Sequence, residues 1–467
     1  MAPKPKAAGL LPGVSAGVAL IAGGFLRAWM LSKFFQANGD TLVYGGIAKN
    51  LLLHGRYALT LDSGQTFPTL IRLPGYPVFL AVCFRLFGID NYGAVAWVQL
   101  AFALAGCLLL ADFARRIAPA GTKMAAAQAT LWLSALCPFT AVYDVTPLTE
   151  GLTLFVLSLA LWAAARFQEE TGWGPALWFT FAVTYAALLR PDGPLAAVAL
   201  APALMVVRWK NGGSSKVDHR RVIRMAIVCA LLALSPFLAW TWRNWQVFHV
   251  FQPLVPSSAT DPGDPVYPGW ERWVKTWCLD FVSTYQVYWN VPGDEIDMND
   301  LPSRAFDSTA QQKETAEIFR EYNENGFNLT PELDAGFARL ARERIAAHLL
   351  RYYLILPLGR VADMWLRPRV ENLPIDLDWW VYSHHYAETR FSWAYAGLNA
   401  LYLLVGIAGI WLRPRFWKWM LLYLMLRSAM LLTVGAPEAR YTLECFPMLC
   451  ALGGIALART FGKRKNA

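Results

Sequence analysis

An all-α polytopic membrane protein is the fold this sequence predicts, on three observations. Of its 467 residues 56% are hydrophobic and only 16% charged, with 21 Trp and a mean hydropathy of +0.33. That is more apolar surface than a soluble core of this size hides. The apolar residues also fall into separate runs of about 17–22, the length that crosses a bilayer as a helix. Lys and Arg gather in short clusters between alternate runs, as cytoplasmic loops do. The formal charge of +9 therefore reads as topology, and no nucleic-acid partner is expected.

Taken in order, candidate spans lie near 9–32, 93–114, 123–142, 148–167, 174–189, 194–209, 222–243, 391–412, 416–434 and 441–459. Lys4 and Lys6 ahead of the first run suggest a signal peptide, but that run is long enough to span and lacks a convincing cleavage site. It is read as a retained helix. Ten spans put both termini on one side. Lys4, Lys6, Arg115, Arg116, Lys123, Arg166, the run from Arg208 to Arg224, Arg413, Arg415, Lys418, Arg459, Lys463, Arg464 and Lys465 all fall there, which makes it the cytoplasm.

Two stretches complicate the count, because Gly75–Gly88 is apolar but short, and Leu349–Leu366 carries Arg351, Arg360, Asp363 and Pro357. Either one as a span puts the basic tail outside, so both read as interfacial or re-entrant. The organisation expected is an N-terminal transmembrane module over 1–243 with a catalytic first outer loop, an extracytoplasmic loop region with interfacial helices over 244–390, and C-terminal transmembrane helices over 391–467. Inside the middle region Gln311 to Asn325 reads as a charged surface helix, and Pro331 with Glu332 opens another toward Arg344. Cys107, Cys137, Cys229 and Cys450 sit in apolar runs without CxxC spacing and read as small buried hydrophobes. There is no repeat, low-complexity tract or nucleotide-binding glycine loop.

This topology carries Asp40, Arg72, Asp144, Glu150, Arg190, Asp192, Glu438 and Arg440 to one outer face. After Asp40, the residues Tyr44, Ile47, Ala48 and Leu51 repeat at helical spacing and His54-Gly55 ends the pattern, so Asp40 reads as the cap of a short amphipathic helix. A carboxylate beside an apolar surface also keeps a raised basicity and can take a proton from an acceptor. Arg72-Leu-Pro-Gly-Tyr-Pro77 is a rigid turn whose arginine either snorkels to lipid headgroups or binds a phosphate with its planar fork. Asp144 and Glu150, six positions apart, either serve a helix start or orient an acceptor or divalent ion. Arg190-Pro-Asp-Gly-Pro194 and Gly435-Ala-Pro-Glu-Ala-Arg-Tyr441 are tight turns that each present an arginine. Arg427, deep in a span, reads as a structural ion pair, and His384 and His385 with Asp376 and Asp378 read as solvated surface.

The order of these motifs resembles the membrane glycosyltransferases of the GT-C fold: an acid after span one with Tyr44 four later, the Arg72 turn, Thr149-Glu150 opening span four, the Arg190-Pro191 turn and Glu438-Ala-Arg440-Tyr441. Within that fold the chain looks most like the protein mannosyltransferase and aminoarabinose transferase group. The resemblance covers mainly 10–200 and 435–460. It implies a GT-C-like helical bundle of about ten transmembrane helices with an extracytoplasmic helical loop domain. It further implies Asp40 as catalytic base, Arg72, Arg190 and Arg440 facing the donor phosphate, and Glu150 as the acidic start of span four; Asp144, Glu150 and Glu438 are the candidates for orienting the acceptor or a metal. Tyr44, Tyr441 and His384 are further candidates, and a divalent cation stays open as cofactor with no metal ligand assigned. Some relatives carry an Asp-Glu pair where Gly39-Asp40 has one acid, so a two-carboxylate mechanism is not implied.

The activity implied is inverting transfer of a sugar from a polyprenyl-phosphate donor to a lipid, glycan or protein acceptor. It would take place at the extracytoplasmic face of a bacterial inner membrane. A lipid-linked oligosaccharyl transferase or glycan polymerase is the nearer rival, and a polyprenol-linked glycan flippase the more distant one, since such proteins carry repeats or mid-depth polar residues.

Overall fold

The structure, a computed structural model, describes residues 10–61, 63–210, 219–256, 258–381 and 384–464. Lys4, Lys6 and Lys465, and 211–218 within the basic run from Arg208 to Arg224, lie outside the described residues. In chain order the helices are α1 (Leu10–Phe34), α2 (Asp40–His54), α3 (Gly75–Phe87), α4 (Tyr92–Ile117), α5 (Lys123–Ala135), α6 (Pro138–Asp144), α7 (Thr149–Glu169), α8 (Trp173–Leu189), α9 (Pro194–Lys210) and α10 (His219–Phe248). Then follow α11 (Pro268–Lys275), the single turn α12 (Phe281–Ser283), α13 (Thr309–Glu324), α14 (Pro331–Ala347), α15 (Leu356–Leu366), α16 (Tyr386–Trp411), α17 (Trp417–Leu431) and α18 (Phe446–Arg464).

Among the described residues six helical segments are long and apolar enough to cross a bilayer, seven if the bent pair α5–α6 counts as one span, and the chain is an integral membrane protein. The expected spans at 174–189, 194–209 and 416–434 form helices of 17, 17 and 15 residues. Fifteen residues rise only about 22 Å, short of a hydrocarbon core of about 30 Å. The 123–142 segment is broken rather than straight, with α5 and α6 meeting at 58°. Pro138 explains the break, since it has no N–H to continue the ladder and its ring displaces the preceding turn.

The all-α expectation needs one correction. Between α2 and α3 the chain forms an antiparallel hairpin, β1 (Ala58–Thr60) on β2 (Thr66–Pro68), with Leu59 opposite Phe67. Gly64 at φ +81° makes the turn, a conformation open to glycine at no steric cost. Asn50 of α2 donates to the carbonyl of Ala58, and Arg243 of α10 donates to those of Tyr57 and Thr69, so the hairpin is pinned from both sides.

Two compact units divide the chain. The first comprises Met1–Asp264, Leu401–Leu424 and Leu443–Ala467. Its interior staple is Arg27, buried in α1, whose guanidinium lies 2.8 Å from the Asp144 carboxylate and donates to the carbonyls of Ala135 (2.6 Å) and Gly23 (3.2 Å). One arginine thus serves both halves of the broken span. The approach depends on Gly23, where a Cβ would come within 2.9 Å of Ala135.

The second unit comprises Pro265–Ala400 and Met425–Thr442. Here α11, α13 and α14 pack around Trp270, Trp273, Trp277, Phe319 and Phe337. Ser308 and Thr330 cap α13 and α14, and Asp334 accepts from the first backbone N–H groups of α11. These two helices match the expectation over 311–344 closely. Leu349–Leu366 is not one span but a π-turn at Arg351–Ile355 followed by α15.

Removing one member of the buried pair, as in Arg27→Met or Asp144→Leu, should lower stability by about 3–5 kcal/mol, and the double variant should lose less than either single, because no orphan charge remains. Thermal unfolding in detergent checks this, and strict additivity would contradict it. In the second unit Asp307 meets Arg351 through both oxygens (2.7 and 2.8 Å), with Arg344 at 3.3 Å. Burial raises its carboxyl, but the two arginines outweigh that and hold it below the usual range. A depressed carboxyl contributes stability above its unfolded pKa and loses it as pH falls through the folded one. Asp307→Asn should therefore melt lower than wild type at pH 7, with the gap closing as pH falls through and below the ordinary carboxylate range.

Candidate active site

The site assembles where α2, the turn before α3, the loop before α7 and the turn after α8 meet. Asp40 is not the cap of α2. Gly39 takes that position at φ +49°, with no side-chain cap, and Asp40 is the first helical residue. A capping side chain needs non-helical backbone, so the carboxylate is released from capping and instead meets Arg72 at 2.6 Å. The far end of α2 ends as expected on Gly55 in the left-handed conformation. Ile47 and Ala48 are fully buried as expected, but Leu42 and Leu53 are exposed, so α2 is apolar on two faces.

Arg72 is aimed by what surrounds it. Tyr57 donates to its carbonyl (2.9 Å), and its guanidinium lies 5.6 Å over the Tyr44 ring. Tyr44 in turn meets Tyr76 edge-on at 5.1 Å. Thr41 donates to the carbonyl of Pro147 (3.0 Å), which ties α2 to the loop between α6 and α7. From that loop Glu150 stands in the first turn of α7, as predicted, where the helix dipole favours a carboxylate.

Arg190 follows α8 in the expected tight turn, closed by the Gly193 N–H on its carbonyl (3.0 Å). It pairs with Glu150 at 2.9 Å, Glu444 at 2.8 Å and Asp192 at 3.4 Å. Tyr423 donates to Glu444 (3.1 Å). Burial pushes the Tyr44 hydroxyl up to about 12, with Arg72 and Arg190 opposing that rise and Asp40 and Glu150 adding to it. Tyr44 is thus a neutral donor at working pH, not a base, and it feels both arginine clusters. The group holds two guanidinium ions and four carboxylates, each arginine already matched to an acid.

Asp144 does not join this group. It is buried against Arg27, so its carboxylate is committed to an ion pair rather than held toward an acceptor or a metal. Glu438, Arg440 and Tyr441 belong to the second unit, where Arg440 pairs with Glu438 at 2.5 Å and Tyr441 donates to the same carboxylate. Arg427 also lies in that unit, fully buried, with its Nε on the Tyr441 carbonyl at 2.9 Å. His384 is exposed and meets the His385 ring edge-on, with centroids 4.3 Å apart. Among the described residues one cluster has three donors placed for a cation, Asp376, His385 and Glu388, also in the second unit and largely exposed.

Sequence reasoning missed Arg27, Tyr76, Gln99 and Glu444. Arg27 and Gln99 carried a usable signal, a polar side chain inside an apolar span, which is costly unless it is partnered. Glu444 lies four residues past Arg440 within a run read as membrane, and nothing local marks its pairing with Arg190.

No protein-family model and no curated protein matches the sequence. Solved structures do. The crystal structure of an Archaeoglobus fulgidus oligosaccharyltransferase, tethered with an acceptor peptide containing the NVT sequon, matches with a TM-score of 0.51 at 14% identity, over 98% of this chain and 50% of that one. The archaeal oligosaccharyltransferase AglB from the same organism, in complex with an inhibitory peptide and a dolichol-phosphate, gives 0.46 at 11% identity, over 96% and 50%. The chain spans about half the length of these structures. The likeness to the first shows a shared fold, the GT-C fold of membrane glycosyltransferases.

The head of α3 rests on the end of α8 at Gly75, where a Cβ would sit 2.6 Å from the Leu188 carbonyl. Gly75→Ala should separate the helices that carry Arg72 and Arg190 and cost about 1–3 kcal/mol. Gly174→Ala, which adds a Cβ with nothing within 4 Å, should melt like wild type. Equal midpoints for the two variants would remove this contact from the account.

Proposed function

We propose that the chain is an inverting membrane glycosyltransferase. It moves a sugar from a polyprenyl-phosphate donor to a hydroxyl- or amine-bearing acceptor at the extracytoplasmic face, with both termini cytoplasmic and, in a bacterium, in the inner membrane. The observation that carries this is the pairing of Asp40 with Arg72 at 2.6 Å beside Tyr44, which also feels Arg190 and Glu150. A carboxylate next to an exchangeable arginine is what base-assisted displacement of a phosphate requires.

The reaction runs in one displacement. The acceptor gives its proton to Asp40, its oxygen or nitrogen bonds to the anomeric carbon, and the bond from that carbon to the phosphate oxygen breaks on the opposite face. Polyprenyl phosphate leaves with the electron pair. Arg72 is shared between Asp40 and the donor phosphate. When the phosphate takes the guanidinium, the contact between Arg72 and Asp40 is given up, and a carboxylate that loses a neighbouring positive charge is a stronger base. Arg190, held by three carboxylates, steadies the far side of the same site. Monosaccharide transfer of the mannosyl or aminoarabinosyl kind is the reading we prefer. Transfer of a whole oligosaccharide to a peptide is the second, favoured by the fold shared with an oligosaccharyltransferase.

Purified chain in nanodiscs, given radiolabelled polyprenyl-phosphate monosaccharide, should release polyprenyl phosphate and label an acceptor. Asp40→Asn should abolish transfer with an unchanged melting midpoint, and near-normal turnover by that variant sinks the assignment. Turnover only with a lipid-linked oligosaccharide and a peptide would replace the first reading by the second.

A further inference from the structure

Gln99 is fully buried in the middle of an apolar helix, α4, and touches no group the reaction uses. Its Nε2 donates to the carbonyls of Thr146 (2.9 Å) and Asp144 (3.4 Å), and its Oε1 accepts from the Tyr76 hydroxyl (2.7 Å). The orientation of this amide is determined by chemistry, because carbonyl oxygens only accept; the NH2 must face them, and Tyr76 must then be the donor. Both ends of the bridge lead to the site. Tyr76 lies four residues after Arg72 and carries the Tyr44 ring on its edge, while Thr146 lies in the loop that delivers Glu150. The space is kept by Gly151, where a Cβ would stand 3.2 Å from Nε2 and 3.2 Å from Asp144 Cα.

We propose that Gln99 is a positioning residue: a buried amide brace that sets the distance between the Asp40–Arg72 half and the Glu150–Arg190 half of the site, and so the span available to the donor phosphate and acceptor. This rests on the reading of the site as a glycosyltransferase centre. The brace predicts a specific signature. Without it, substrate still reaches each arginine, but the two halves are no longer held in register, so kcat falls while the donor KM stays nearly constant. A misplacement on the order of 1 Å costs about a hundredfold.

Gln99→Met keeps length and removes all three hydrogen bonds; it should lose about a hundredfold in kcat and show faster backbone hydrogen exchange over 72–78 and 146–151, with α18 unchanged. In Gln99→Glu the ionised carboxylate has no donor for the two carbonyls, whereas the protonated acid has one, so its activity should recover as pH is lowered, unlike Gln99→Met. Unchanged kcat or uniform exchange in Gln99→Met, or a pH profile shared by the two variants, overturns the brace. If Gln99→Met does not fold, Gly151→Ala decides: local exchange at 146–151 with a kcat loss supports the brace, and wild-type behaviour overturns it. Should wild type transfer no sugar, the exchange result still judges the brace while the functional reading falls. Transfer intact in wild type with no local exchange change in Gln99→Met rejects the brace and leaves that reading standing.

Discussion

A guanidinium buried in a low-dielectric interior must be matched group by group, and much of the first unit follows from that constraint. Arg27 is the case on which the rest depends. It reaches the Asp144 carboxylate and the carbonyl that closes α5, so the two arms of a span bent at 58° are held by a residue from a third helix. A straight helix needs no such partner. The bend in turn aims the 144–150 loop, from which Gln99 collects two carbonyls and in which Glu150 finds Arg190.

The same rule shapes the site. An arginine that already holds a carboxylate binds phosphate by exchange rather than by simple capture, so affinity is a difference between two ion pairs. Arg72 and Arg190 stand differently in that respect. Arg72 has one acid, about a third exposed, and can trade it; Arg190 has three, two of them nearly dry. In the proposed reaction the first would serve a partner that comes and goes, the second a fixed post.

How much of this the sequence made legible depended on whether the signal was local. Apolar runs, the Arg72 and Arg190 turns, Gly55 and the two helices over 311–344 were readable because each is a matter of neighbours along the chain. The break at Pro138 had its residue in plain view, but a proline within an apolar run also occurs inside unbroken helices, as Pro202 and Pro236 do here. Asp40 was readable as important but misread as a cap, because a glycine one position earlier took that place. What stayed hidden was pairing across distance: Arg27 with Asp144, Glu444 with Arg190, Tyr76 with Gln99. No periodicity or spacing records which polar group in one helix answers which in another.

Glu150, Asp192 and Glu444 reach Arg190 from one helix start, one turn and the entrance of the last helix. A lysine is a point charge on a flexible stem and cannot offer its planar fork to three acids at once. These four positions therefore form one coupled unit, in which a change at any one alters what the others are worth, because groups sharing an ion-pair network do not contribute additively.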